Sequence, residues 1–519
     1  MKPTPQYRLL CSLALLVSLL GTEAQTAPEV PRLVVSVVVD QLRSDYLHAF
    51  MPLYGEEGFR RIMREGRVYR HAEYPFAHPD RASAMACLAT GTTPYENGIV
   101  GQRWLSRQTL QPQFCVGEGT PALMAVSTLG DELKLSTDGR ALVFSVAPDV
   151  DAAVLAGGHA ADGAFWMDNE SGQWSTSDYY TRPLWLATYN RGDHAAERIG
   201  KLSWTPVDNR FTDFSYFTVD EKKRFFQHRF RGDRNFRQFK ASGLVNEEVS
   251  DFVDFCMQNT QLGSDDVTDF LAVSYYAGNF DHQPVTDYPM ELQDTYVRLD
   301  DQIGRMMQRV EQKVGQGRVL FVLTSSGHCD PERSDLDLKR YRIPTGEFNI
   351  TRAQGLLNMY LSALYGQAQY IEGSIGNQLY FDIKGIEQRS LKFGELLERS
   401  SEFLMQLSGV RDVYSSARLN QQAWTPAISA LRNAYSPRHS GDIMVQVTPG
   451  WTLVNEQTGE KRLQRESYVE FPLMFCGMNI EPRQLEEPVT VDRVAPTLAR
   501  YMRIRAPNAC SAAPLTNIQ

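Results

Sequence analysis

Near the start of the chain, Leu33-Val34-Val35-Ser36-Val37-Val38-Val39-Asp40 sets the strongest limit on what the chain can fold into. A near-continuous β-branched apolar run suits a strand covered on both faces, as found inside parallel sheets. A single carboxylate closes it. In open α/β sheets, ligands gather at the carboxyl ends of strands, which makes Asp40 the first candidate site residue. Its other reading is a cap for the helix expected in Gln41-Leu42-Arg43-Ser44-Asp45-Tyr46-Leu47, and this stretch leaves both open.

Before the run, Lys2 and Arg8 precede an apolar stretch from Leu9 to Leu20, and Thr22-Glu23-Ala24 offers small residues to a peptidase. That pattern predicts a secretory signal peptide over residues 1–24, an exported mature chain in a periplasm or cell envelope, and residues 25–519 as the folded part. No later stretch has the apolar length of a membrane span. A net charge of −9 argues against nucleic acid as the main partner, and 42% hydrophobic content suits a large buried core. Cys87, Cys115, Cys256, Cys329, Cys476 and Cys510 remain after the leader, an even count that permits up to three disulfides without fixing a pairing.

Further strands are expected at Ala141–Val146, Phe270–Ser274, Val319–Thr324, Ile443–Val447 and Phe471–Phe475. A helix is expected from about Glu56 to Glu65, and another over Arg81–Ala89 with Asp80 as its N-cap and Gly91 at its end. Met290 to Val314 carries apolar residues at helical spacing and completes a βαβ unit, so the sheet is predicted to be largely parallel. The segments 181–265 and 331–440 are richer in charge, aromatics and loops than in buried strands and read as insertions that cap the sheet. The fold class is α/β, a mostly parallel sheet between helices with inserted caps.

Val38-Val39-Asp40-Gln41-Leu42-Arg43-Ser44-Asp45-Tyr46-Leu47, with Ala89-Thr90-Gly91, Asn97-Gly98-Ile99, Gly157-Gly158-His159-Ala160, Gly163-Ala164-Phe165-Trp166 and Ser440-Gly441-Asp442-Ile443, resembles the alkaline phosphatase superfamily. More narrowly it resembles the exported PafA-type monomeric phosphatases, related to type I phosphodiesterases and nucleotide pyrophosphatases. The resemblance spans nearly the whole mature chain. It implies an alkaline-phosphatase-like fold with two zinc ions and a threonine nucleophile at a helix N-terminus. Two metals about 4 Å apart would clamp the attacking and leaving oxygens.

Carried over residue by residue, the resemblance gives the fold without the site. The nucleophile position, counted back from Thr90-Gly91, falls on Arg81. Among the six metal positions only Asp40 is kept; the others fall on Asn279, Gln283, Ser326, Gly327 and Glu470. The phosphate-binding lysine and arginine fall on Asp149 and Asp151, and the asparagine on Gln102. An arginine is neither nucleophile nor zinc ligand, and two carboxylates repel a phosphate. Arg81 is expected to pair with the stranded Asp40.

Three functions follow. The first is a catalytically degenerate phosphatase that works by binding an unknown protein or small molecule; its carboxylates favour a cationic or neutral ligand over phosphate, and no cofactor is expected. The second is an active metal-dependent phosphomonoesterase or phosphodiesterase with relocated zinc ligands, drawn from Asp40, Asp281, His282, His328 and Asp330. Ser83, as a substitute nucleophile, would point to another helix face. The third is an assembly role in an envelope complex, with Phe211–Phe217 as contact surface. The basic run from Lys222 through Arg234, interleaved with Phe225, Phe226 and Phe230, reads as a solvated amphipathic helix, His159 as a hydrogen-bonded structural histidine, and His439 has no assigned role.

Overall fold

The computed structural model describes residues 29–516 except 193–194, 208–213, 215, 218–224, 331, 333–344, 422–424 and 465–468. The leader, Lys222-Lys223-Arg224 and most of Phe211–Phe217 therefore lie outside the described residues. In chain order the strands begin with β1 (Leu33–Asp40), β2 (Arg67–Glu73), the hairpin β3 (Arg103–Leu105) and β4 (Pro112–Phe114), β5 (Val143–Ala147), β6 (Gly163–Met167), β7 (Trp174–Ser175), β8 (Asp269–Tyr276) and β9 (Val319–Ser325). They continue with β10 (Glu347–Asn349), β11 (Ile371–Ile375), β12 (Gln378–Phe381), β13 (Val410–Ser415), β14 (Ile443–Val447), β15 (Thr452–Asn455), β16 (Glu460–Leu463), β17 (Phe471–Gly477), β18 (Arg483–Leu485) and β19 (Val489–Thr490).

A ten-stranded sheet in the order β18-β2-β17-β9-β1-β8-β5-β6-β7 forms the centre, with β19 also on β2. β1 lies parallel between β8 and β9, in register from Leu33 opposite Asp269 and Val319. β5 and β6 continue the parallel run, while β17 runs antiparallel to both β9 and β2. Side chains of β1 alternate as a doubly covered strand requires: Leu33, Val35, Val37 and Val39 enter one apolar core, Val34 and Val38 the other.

Helices follow the same division. α1 (Arg81–Thr90), α2 (Val150–Gly157) and the last helix, Val494–Met502, fill the core beneath Val34 and Val38. The opposite core takes α4 (Val245–Asn259) and α5 (Pro289–Val314), preceded by a short α3 (Asn235–Lys240). α4 thus belongs to the layer that covers the sheet, although it closes the segment 181–265.

Within 331–440 the structure departs from the loop-rich expectation. β11, β12 and β13 join β14 in a separate antiparallel sheet with its own core around Leu379, Phe381 and Ile443, closed by α6 (Ile350–Tyr365). Alternation along these strands is short and interrupted by glycines such as Gly373, which hid them.

Three local expectations also change. The helix expected from Glu56 starts at Phe59, because the buried Asp300 carboxylate accepts from the backbone N–H groups of Gly55 and Phe59 and caps it from across the fold. Between Phe225 and Arg234 the described residues form no helix; Phe230 is buried there and α3 begins only at Asn235. All six cysteines are free, with Cys87 and Cys115 in one core and Cys256 and Cys476 in the other, separated by the sheet.

Candidate functional site

Asp40 ends β1 at the carboxyl edge of the parallel strands, and the loops after β5, β8 and β9 arrive beside it. Arg81 reaches the same edge as the first residue of α1. Asp80 fixes that position: its side chain accepts from Ser83 N–H and Ser83 Oγ, Ser83 Oγ accepts from Asp80 N–H, and Gly91 ends the helix in the left-handed conformation. Ser83 is buried and engaged in this cap with Asp80.

Arg81 lies among three carboxylates. Its Nη1 is 2.8 Å from Asp149 Oδ2 and 3.4 Å from Asp40 Oδ2, and its Nη2 is 3.0 Å from Asp151 Oδ1. Asp40 was the expected partner, yet it is the most distant of the three. Burial works against the guanidinium charge, but Asp149, Asp151 and Asp40 outweigh it and hold the Arg81 pKa well above its ordinary value. Asp149 stands at the N-cap of α2 without capping it, because its side chain turns to Arg81 and to Lys240 Nζ at 2.6 Å. Burial would raise the Asp149 pKa; Arg81 and Lys240 reverse that and lower it. Gln102 Nε2 donates to Asp151 at 3.0 Å, and Gln102 N–H donates to Asp80 at 2.8 Å.

Lys240 is the site residue that sequence reasoning missed. It closes α3, buried inside the segment 181–265, and no spacing relates it to the strand-end residues. Three carboxylates therefore face two fixed cations rather than one.

Beside this network, Ser326 Oγ donates to Asp40 Oδ1 at 2.7 Å, accepts from Gln41 N–H, and lies 3.0 Å from His328 Nδ1. His282 pairs with Asp330 at 2.9 Å, and Gln41 Oε1 accepts from Asp330 N–H. Burial opposes a charge on His282, while Asp330 overcomes it and raises the pKa. Asp281 turns away to Arg234 and Gln238. Gly327 needs its positive φ of 71°, and a Cβ there would meet the Tyr74 ring at 2.6 Å.

The remaining positions do not converge. Glu470 points outward, 3.6 Å from His71, and Gln283 is exposed and donates to the Asp281 carbonyl. Asn279 is buried, its carbonyl accepting from Tyr276 OH. His159 bridges Asp131 at 2.9 Å and the Met124 carbonyl at 3.1 Å, while His439 stacks on Trp104 and binds the Gly98 carbonyl.

These donors do not fit two zinc ions. Of the six positions only Asp40 brings an inward carboxylate, and the Arg81 cation stands next to it. The relocated candidates form two separate groups, His282 with Asp330 and His328 with Ser326 and Asp40. Among the described residues no three His, Cys, Asp or Glu side chains are grouped to hold a metal ion.

The comparisons agree on the fold. A relative named as a calcium-transporting ATPase of Myroides odoratus is 27% identical and matches 94% of each chain. The alkaline phosphatase PafA of Elizabethkingia meningoseptica is 26% identical over 96% of both chains. The crystal structure of wild-type PafA superposes with a TM-score of 0.80 at 25% identity, covering 95% of this chain and all of that one, and a PafA variant with four substitutions gives 0.79. Among the described residues no helix is long and apolar enough to cross a membrane. The model of the type I phosphodiesterase / nucleotide pyrophosphatase family matches residues 34–469, and the chain belongs to that family.

Proposed function

We propose that this protein is an exported, catalytically degenerate member of its family that acts in the cell envelope by binding rather than by hydrolysis. One observation carries the reading: the Arg81 guanidinium fills the space among Asp40, Asp149 and Asp151 at the carboxyl edge of the sheet. A fixed cation at the head of α1 supplies no nucleophile, and the carboxylates it holds cannot also bind a phosphate.

The substituted PafA variant supports the same placement. Its four positions are a threonine, an asparagine, a lysine and an arginine. Arg81 and Gln102 are separated in this chain as that threonine and asparagine are, and Asp149 and Asp151 as that lysine and arginine are. On that spacing all four positions carry a different residue here, with carboxylates at the two cation positions.

Hydrolysis of 4-nitrophenyl phosphate and bis(4-nitrophenyl) phosphate by the purified protein, with zinc supplied, tests the proposal. Release at the rate of buffer alone is expected. Turnover that survives repurification and is lost on chelation would overturn it.

A further inference from the structure

Gln102, which donates to Asp151, also lines a cleft of about 410 Å³ whose lining does not include Asp151. The antiparallel cap sheet, the β15–β16 hairpin and the β3–β4 hairpin wall this cleft, so it is built largely from chain outside the parallel core. Its size suits a small organic ligand.

Charge in the cleft is unevenly spent. Arg103 pairs with Glu460 at 3.3 Å, and both carboxylate oxygens of Asp80 are taken by Ser83 and Gln102 donors. Arg462 is left exposed, with no acidic partner for its guanidinium among the described residues; its backbone lies in the β15–β16 ladder opposite Leu453, and its carbonyl also accepts from Gln464. Beside it His78 takes a left-handed backbone, φ 53°, a strained choice for a non-glycine residue. The surrounding cleft walls and then the Arg462 charge lower the His78 pKa to about 4, although the side chain keeps contact with solvent. Gln378 adds an amide whose oxygen is occupied by Gly441 N–H.

Apolar surface faces these donors. Phe114, at the end of β4, is 60% exposed, and Ile375 and Met444 line the same cleft. A cation with no ion-pair partner among the described residues, two polar groups and an open aromatic ring in one cleft describe a site for an amphipathic anion. We propose that this cleft binds a small aromatic anion, its charged end at Arg462 and His78 and its ring against Phe114. Asp149 and Asp151 are not among the residues that line the cleft, and the two carboxylates that do, Asp80 and Glu460, are already hydrogen-bonded or paired.

The inference rests on the reading above only in that the bound anion is retained and not hydrolysed. Calorimetric titration of the full mature chain with phenylphosphonate, which cannot be hydrolysed as an ester, tests the cleft itself. Methylphosphonate lacks the ring and benzyl alcohol lacks the charge, and each is expected to bind about tenfold more weakly or worse. Arg462→Gln and Phe114→Ala, both at exposed side chains, are each expected to weaken phenylphosphonate by about tenfold, with melting curves showing that both variants fold.

Equal binding of the three probes, no heat at about 10 mM phenylphosphonate, or wild-type affinity in both variants would overturn the cleft. Phosphate release from phenyl phosphate in a parallel assay would instead overturn the loss of hydrolysis and leave the cleft standing.

Discussion

Arg81 Nη1 sits 2.8 Å from Asp149 Oδ2, joining the first residue of α1 to the N-cap of α2 across the end of β1. On the proposed reading, Arg81 stands where the family's nucleophile would be and Asp149 where a phosphate-binding cation would be, and the structure pairs the two. Removing Arg81 leaves Asp149 with Lys240 alone and takes from Asp151 the cation paired with it. Arg81→Met is expected to destabilise the protein by about 3–5 kcal/mol in urea unfolding, because Asp149 and Asp151 lose their main counter-charge. Arg81→Met combined with Asp149→Asn and Asp151→Asn should recover a large part of that loss. A single variant as stable as the wild type would show that the cluster is solvated rather than paired.

Arg81→Thr tests the chemistry more narrowly. A hydroxyl at the head of α1 still leaves Asp40 as the one inward carboxylate among the six metal positions carried over from the resemblance, where two metals need several ligands. No phosphate release is expected from this variant in 4-nitrophenyl phosphate assays with zinc. Turnover would mean that other side chains complete a metal centre.

Asp80 secures the geometry through its cap. Asp80→Ala is expected to cost about 1–2 kcal/mol, the usual effect of losing an N-cap, since it frees Ser83 N–H and Gln102 N–H together. Asp80→Asn should cost less, as the amide oxygen still accepts one bond. Chemical denaturation of the two variants compares them directly.

His159 and Asp131 set a pH dependence away from the ion network. The hydrogen bond to Asp131 raises the His159 pKa against burial, and His159 with the N–H groups of Thr128 and Ala160 lowers that of Asp131. A raised histidine stabilises fully below its unfolded value of about 6.5, and the gain fades as pH rises through the folded value. A lowered aspartate stabilises above its unfolded value of about 3.9, and the gain fades as pH falls through the folded value. Thermal melts of wild type and His159→Gln should therefore differ most between about pH 4 and 6.5 and converge in alkali. A gap that widens above pH 8 would contradict the assignment.

Arg67 is buried on β2, and among the described residues its Nε and Nη1 and the Tyr501 hydroxyl find no hydrogen-bond partner. A buried charge without a counter-ion is a net cost that an apolar side chain of similar length removes. Arg67→Met is expected to raise stability by about 1–2 kcal/mol in urea unfolding. A loss would mean that Arg67 holds a bound water or anion.

Much of this architecture is legible in the chain because β1 carries its own evidence. The run from Leu33 to Val39 has no polar face, so helices had to cover both sides, and the 26-residue α5 shows its apolar stripe in the sequence. Asp80 and Gly91 marked the ends of α1 through capping chemistry. The cap sheet was less visible, since β11 and β12 are short and turn on Gly376. Lys240 was not visible at all. Its place beside Asp149 depends on how the segment 181–265 folds back over the sheet edge, and no local pattern encodes that path. For the same reason the sequence favoured Asp40 as the partner of Arg81, although Asp149 and Asp151 lie closer.

Zinc content per chain, measured by elemental analysis of the mature protein purified without chelators and then offered zinc, tests the central claim most directly. The guanidinium among Asp40, Asp149 and Asp151 predicts a stoichiometry near zero after dialysis. One or two zinc ions held tightly by each chain would contradict the account, because no cation of that charge can share the site with Arg81.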